Sequence, residues 1–376
     1  GMHALRTALV AAAFAASCSS SAPPPPLVSF ESTALAGTVV VAHDAQPFPE
    51  GKGAIWAATS RLAWDAVPRR AADAPLEVGP PANAELVALM NREPFPKEAL
   101  DPDAFVAIGG FEEPGRDGVV AEIRDAMRAK FGRAPRIPAL LPDAPWHAIG
   151  YAFLAKDLPF EHRFERAERP MRFDGSERGV LSFHLPEDGP PEHRRRVREQ
   201  VTVLFDRWVD AADGARDFEG ALSIRTKGGA DRVVLALVPR AGSLHETWED
   251  VLAASAKATP RPLEYAARFQ VPLAHFELGH SFRSLEGGSV DVGRPEPGVL
   301  TSFRQDLLFQ MTESGVKLEA ESVVTVAGLA APPEGDPPPR FVFDRPFLLA
   351  LVQEGATDPY LLWWVADEEL LAAFED

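Results

Sequence analysis

The sequence predicts a mixed α+β fold, with several mostly antiparallel sheets and packed helices in one domain over residues 28–376. Three observations carry that prediction. Gly118–Phe131 repeats apolar residues at helical spacing, which turns Val119, Ile123, Met127 and Phe131 inward. Ala221–Arg225 and Arg232–Val238 are apolar runs flanking Gly228-Gly229-Ala230-Asp231, a turn that joins them as a strand pair. Leu307–Leu351 runs from a half-apolar strand through Glu313-Ser314-Gly315 into a period-two alternation. There Val316, Leu318 and Ala320 share one face, and Lys317, Glu319 and Glu321 the other. The proline-rich loop Ala327–Pro339 cannot pair within a sheet, and Phe341–Phe347 opens a closing strand pair.

In chain order, Val39–Ala42 is a short β-branched run. Ala54–Val67 follows the Gly51-Lys52-Gly53 turn as a helix with Ile55, Leu62, Ala66 and Val67 on its buried stripe, stopped by Pro68. Trp56 and Trp64 are core anchors. Ala82–Met90 is a short helix, and Ala104–Ile108 a buried strand. Pro135, Pro138, Pro142 and Pro145 keep Gly132–His147 from holding a long helix. Ala148–Ala155 is a continuous apolar run suited to a central strand covered on both faces. Val180–Leu185 is another strand. Pro191–Ala212 reads as the clearest helix, on Val197, Val201, Leu204 and Trp208. Ser243 caps a further helix, with Glu246 three residues on. Ala267–Phe276 and Gly279–Leu285 complete the β-rich part.

The totals bound the function. The length of 376 residues suits one large domain or two ordinary ones, and the interior shows neither repeats nor a composition break. With 46% apolar residues the chain can bury a sizeable core. A net charge of −17 argues against nucleic acid and against anionic membrane surfaces as partners. Cys18 is the sole cysteine, so no internal disulfide and no cysteine cage for a metal can form. Gly1 before Met2 reads as an expression-tag scar.

Motifs of catalysis are missing. His275 and His280 lack the HExxH spacing and read as strand-surface histidines. Gly242-Ser243-Leu244 is no nucleophile elbow, and Ser289 has no base that the sequence nominates. Gly109-Gly110 and Gly51-Lys52-Gly53 complete no phosphate-binding fingerprint. The expectation is a monomeric protein that is not an enzyme and uses no cofactor. Arg194, Arg195, Arg196 and Arg198 suit a sulfated polysaccharide or phosphate. On so acidic a chain a solvated helix face is the favoured alternative.

Residues 1–18 resemble a bacterial lipoprotein signal. Arg6 supplies the positive charge, Ala8–Ala16 the apolar core, and Ala15-Ala16-Ser17 the small residues before Cys18, the residue such signals lipidate. A plain signal peptide cut nearby is the alternative. Residues 19–27, SSAPPPPL in their main part after Ser19, read as a tether. The protein is therefore expected to be exported, and to meet the membrane only through a lipid anchor.

Four stretches, in order, resemble the serpin family. Ala152–Phe160 resembles its NAIYFKGxW strand, with Lys156 on the family lysine. Ala221–Leu252 resembles its strand-turn-strand-helix segment, and Arg268-Phe269-Gln270-Val271 its L-P-K-F-x-I strand. Glu313–Gly315, the loop and Phe341–Phe347 resemble its hinge, reactive loop and closing strand. The resemblance implies a serpin-like fold with a loop that a protease cleaves and whose first half inserts into the main sheet as a new strand. Spacing carried over from Glu313 puts the scissile bond at Leu329–Ala330. That apolar residue suits a chymotrypsin-like or elastase-like serine protease. In the hinge, Gly315, Val316, Leu318 and Ala320 alternate with charged residues. So bulky and charged a hinge is expected to insert slowly, which places inhibitory competence in doubt. The same alternation also permits a segment already paired as a strand. The alternative function is a non-inhibitory surface scaffold for a protein or polysaccharide partner.

Overall fold

The most apolar stretches of the C-terminal part, Phe347–Gln353 and Leu361–Val365, become neighbouring strands inside an eight-stranded sheet. Across it the order is Arg261–Pro262, Val201–Asp210, Arg216–Arg225, Asp231–Leu237, Phe347–Gln353, Leu361–Val365, Gly53–Ala57 and Thr38–Val40. Continuous apolar runs suit such strands because both faces are covered. The computed structural model describes residues 23–113, 115–137, 139–210, 216–318 and 338–374. Among them are five α-helices: α1 (Thr59–Ala66), α2 (Ala84–Met90), α3 (Val119–Phe131), α4 (Pro191–Glu199) and α5 (Leu244–Ala256). With five- and four-stranded sheets beside the large one, the fold is mixed α+β. None of these helices is long and apolar enough to cross a membrane.

Two helix expectations are corrected here. The predicted helix over Pro191–Ala212 ends at Glu199, and Val201–Asp210 is a strand paired with Arg216–Arg225. Val197 and Val201 are four apart, a spacing that satisfies both the helical period and the strand period of two. Val201, Val203 and Phe205 face inward at strand spacing, and this second pattern decides the outcome. Gln200 fixes the change of direction, its side chain bonded to both the N–H and the carbonyl of His162. Likewise Ala54–Ala57, predicted as the start of a helix, belongs to the strand Gly53–Ala57 paired with Leu361–Trp364, and α1 begins only at Thr59. The cap at Ser243 forms as read: its Oγ accepts from the Glu246 N–H at 3.1 Å.

One end of the molecule is built, in chain order, from β1 (Val28–Glu31), β2 (Phe105–Glu112), β3 (His147–Leu154), β4 (Lys156–Pro159), β5 (Ala274–Ser281), β6 (Arg304–Thr312) and β7 (Gly315–Leu318). Five of these form the main sheet in the order β1-β5-β6-β7-β4, while β2 and β3 pair with each other. The Ala148–Ala155 run is thus covered on both faces, by α1 and α3, but is not central: among the described residues β3 pairs with β2 alone. Its side chains are half-buried until Leu154. Gly109 and Gly150 face each other across this ribbon and let α1 approach. A Cβ on Gly109 would lie 1.5 Å from the Ala66 carbonyl oxygen, and one on Gly150 2.1 Å from that of Ala63. On the other face α3 buries Val119, Ile123 and Met127 against Val106, a small core separate from the main one.

At the opposite edge, β1 runs parallel to β5. Just before it Pro25 is buried, and its carbonyl accepts a 2.6 Å hydrogen bond from His275 Nδ1. His275, expected at the strand surface, is buried beneath this segment.

Candidate functional site: the hinge and the ends of the loop

The turn Glu313-Ser314 sends the chain back from β6 into β7, and three backbone features hold it. Gly315 has φ +153°, in the region that L side chains rarely adopt. A Cβ there would sit 2.5 Å from the Leu158 carbonyl oxygen. The Ser314 carbonyl accepts from the Phe160 N–H at 2.8 Å, and the Glu313 carbonyl from the Phe164 N–H at 2.9 Å.

The Glu313 side chain is fully buried, a state a carboxylate tolerates only when paired. Arg166 donates to Oε2 from Nε at 3.3 Å and from its terminal nitrogen at 3.2 Å, and Arg163 donates to Oε1 at 2.8 Å. Burial pushes the Arg166 pKa down, and the Glu313 carboxylate works against that shift. Arg163 lies in the connection that follows β4, and Arg166 in the edge strand Glu165–Arg166 of the four-stranded sheet. The turn is therefore clamped to the strand on the far side of the hinge.

β7 is hydrogen-bonded on both sides: Gln310–Thr312 of β6 pair with Gly315–Lys317, and Lys156–Pro159 of β4 with Gly315–Leu318. Val316 and Leu318 point into the core, as the alternation requires, and both are buried. Lys317 points outward to Asp157 at 3.6 Å. Of the two states open to the hinge residues, the described part is already a paired strand.

Behind Leu318, its cross-strand partner Lys156 is also buried, with Nζ 2.9 Å and 3.0 Å from the two carboxylate oxygens of Asp231. The Tyr360 hydroxyl donates to the same carboxylate at 3.0 Å. Burial, then the Asp231 charge, hold the Tyr360 hydroxyl well above its usual pKa. Lysine, aspartate and tyrosine thus tie the strand flanking the hinge to the eight-stranded sheet. Of this group only Lys156 was marked by the sequence. Arg163, Arg166, Asp231 and Tyr360 carry no local signal, because their partners lie far away along the chain.

Gly315, Val316 and Leu318 come together with Glu313 as one unit. Ala320, Leu329 and Ala330 lie outside the described residues, as does Cys18. The chain returns at Pro338 and enters the four-stranded sheet, ordered Arg340–Val342, Arg268–Pro272, Ser182–His184 and Glu165–Arg166. There Arg340–Val342 runs parallel to Arg268–Gln270, and Phe341 stacks edge-on against Phe218 at 5.0 Å. Arg345 closes the segment on Asp217 at 2.5 Å. The two ends of the predicted loop are therefore anchored in different sheets.

The basic cluster lies elsewhere, on α4. Arg195 and Arg196 face glutamates of their own helix, Glu199 at 3.6 Å and Glu192 at 2.5 Å. Arg194 donates to the Glu187 carbonyl at 2.9 Å, and Arg198 stacks over the exposed ring of Tyr265 at 4.5 Å.

No family model and no curated protein matches the sequence. Among solved structures, the chain is similar to thyroxine-binding globulin in complex with thyroxine, with 11% identity over 85% of this chain and 93% of that one and a TM-score of 0.46. It is similar to native protease nexin-1 with heparin, at 10% identity over 84% and 93% of the two chains and a TM-score of 0.48. Serpin48, a highly specific serpin of the insect Tenebrio molitor, is 10% identical over 81% of this chain and 87% of its own, with a TM-score of 0.42.

Proposed function

We propose that this chain is an exported serpin-like protein, one domain from residue 28 onward, that presents a protease-reactive loop between Leu318 and Pro338. One observation carries the reading: β7 is paired on both sides, yet beyond it β6, and the strand β3 that leads into β4, each have an unpaired edge among the described residues. Arg304–Phe309 of β6 pair only with β5, and β3 only with β2. A strand that continued from Leu318 would find donors and acceptors on both sides, and backbone groups away from water favour being paired.

Cleavage of the loop at Leu329–Ala330 frees its first half from the anchor at Arg340–Val342. The freed segment then extends β7 down the opening, burying alternate side chains as Val316 and Leu318 are buried now. A chymotrypsin-like or elastase-like serine protease is the partner that an apolar residue at that bond suits. The bulk and charge of the hinge sequence favour slow insertion, so the protease hydrolyses the loop more often than it is trapped. Cys18 serves as the lipidated residue, on sequence grounds, and residues 19–24 lead from it to the segment that docks on His275.

Limited digestion with such a protease, followed by thermal denaturation, tests the reading. Cleavage within the loop is expected to raise the melting temperature by more than about 10 °C, the scale on which a newly inserted strand acts. Cleavage with no rise refutes it and leaves the surface-scaffold alternative. A covalent, SDS-resistant complex in stoichiometric yield overturns the expectation of slow insertion.

A further inference from the structure

Among the described residues β2 has one open edge, because it pairs with β3 and with no other strand. The Ala155 N–H donates to the Ala104 carbonyl at 2.9 Å, which sets the phase of that ladder. Val106, Ile108 and Gly110 turn their backbone groups toward β3, and Ala107 and Gly109 turn theirs outward. Lys130 fits the same phase: its Nζ donates to the outward carbonyl of Phe105 at 2.9 Å and to that of Pro102 at 2.6 Å. No hydrogen bond among the described residues reaches the N–H or carbonyl of Ala107 or Gly109. Ala107 is half-buried and Gly109 exposed.

Beside this edge lies a groove of about 710 Å³. Val106 and Ile108, on the α3 side of the ribbon, form one wall, and Ala126 and Ala129 of α3 the other. The groove is open because α3 turns small side chains toward the edge, while Phe131 packs on its far side against Phe153 of β3. Ile108 is half-buried there and Ala129 is exposed. Asp103 and Lys130 stand at one end of the groove. The other end is acidic: Glu112 closes β2, its Oε2 accepting from the Val120 N–H at 3.0 Å, and Glu122 lies one turn before Ala126 on the same stripe of α3.

We infer that this edge seats a second copy of the chain, joined β2 to β2 about a twofold axis at Ile108, an alternative to the monomer expected from the sequence. Antiparallel pairing sets Ala107 opposite the partner copy's glycine at 109, so each free donor meets a free acceptor. The same register brings the two isoleucines at 108 face to face, about 5 Å apart, and covers both with the paired helices. It also carries each Lys130 toward the acidic end of the other copy's groove. A second copy is favoured over a free peptide because it brings its own α3 to cover the groove and its own lysine to that acidic end. Lys130 on the Phe105 carbonyl, and the chain's departure after Glu112, stop the ladder on either side. The pair is therefore closed, short and weak. It uses no residue of the loop, so it stands or falls apart from the loop reading.

Sedimentation equilibrium in reductant, from about 1 μM to about 1 mM, tests the pairing over the range in which small interfaces associate. The mass is expected to rise from one chain to two. Ala107→Pro removes an outward N–H and spares the bonds to β3. Ala129→Arg fills the groove from an exposed helix position and serves if the proline disturbs the strand. Each is expected to weaken association about tenfold or more. Amide exchange at Ala107 and Gly109 should slow as concentration rises, and stay constant at Val106 and Ile108, which already bond β3. A mass of one chain throughout overturns the inference, as does a dimer indifferent to Ala129→Arg or one that leaves Ala107 and Gly109 unprotected. A chain that stays single, yet gains that protection when a peptide of sequence Phe105–Glu112 is added, overturns the dimer and leaves a strand-binding edge.

Discussion

The eight-stranded sheet and the main sheet solve the same packing problem in opposite ways. In the first, Phe347–Val352 and Leu361–Val365 are buried throughout, and each strand is laddered to two neighbours. In the second, much of β6 keeps an edge unpaired among the described residues, side chains along the neighbouring β3 stay half-buried, and charged groups sit at the hinge. Glu313, in the turn after β6, pairs with Arg166 of the four-stranded sheet, and Lys156 of β4 with Asp231 of the larger sheet. Buried ion pairs are weak evidence of stability but strong constraints on geometry, because removing one partner strands the other. The molecule thus combines a sheet whose central strands are buried throughout with a second sheet whose geometry is fixed at the hinge by buried charges.

Matched truncations sharpen that contrast most. Leu349 and Leu318 are both buried, yet Leu349→Ala is expected to cost about 2–5 kcal/mol in denaturant melts and Leu318→Ala about 1 kcal/mol. The hinge strand can open locally and so caps its own loss. Equal costs would make β7 an ordinary core strand. Glu313→Ala is expected to destabilise by about 3 kcal/mol, because it leaves the Arg166 charge buried without its main partner. Replacing Arg166 as well, with methionine, should recover much of that loss in the same melts. Gly315→Ala, forced into a backbone region closed to alanine and against the Leu158 carbonyl, is expected to cost roughly 1–3 kcal/mol. Amide exchange should show the loss concentrated in β4 and β7.

The smallest effect concerns pH. Burial, and then the Arg304 charge, lower the His280 pKa to about 4, with Glu31 opposing. The unfolded histidine, near 6.5, binds protons more readily, so the contribution of neutral His280 is present above about pH 6.5 and fades as pH falls toward 4. Partial exposure keeps this to about 1 kcal/mol. His280→Gln should flatten the stability profile in that window, and a profile unchanged by the substitution would remove the main sheet's pH sensitivity.

Legibility along the chain followed the range of the interactions. The α3 helix, the Ser243 cap and the hairpin around Gly228-Gly229 were readable because period and turn chemistry act over a few residues. Val201–Asp210 was misread because a four-residue spacing fits helix and strand alike, and only pairing with Arg216–Arg225 separates them. Ala54–Ala57 was misread for the same reason: its apolar side chains say buried, and Leu361–Trp364 says strand. At the candidate site, Glu313–Gly315 and the alternation after it were visible in the sequence. Arg163 and Arg166 were not, since about 150 residues separate them from the carboxylate they hold. Gly132–His147 was visible only as a stretch whose prolines forbid a long helix. That Arg136 reaches Glu277, 141 residues away, could not be read from either residue.

By itself, then, the sequence determined the local rules: which stretches bury apolar surface, where the chain turns, and which face of the hinge is apolar. It could do so because side-chain period and backbone preference are properties of neighbouring residues. Only the tertiary structure decided which strands lie beside the hinge and that Glu313 is clamped. Those depend on which distant segments arrive at the same place, and burial then fixes the partner each buried charge must have.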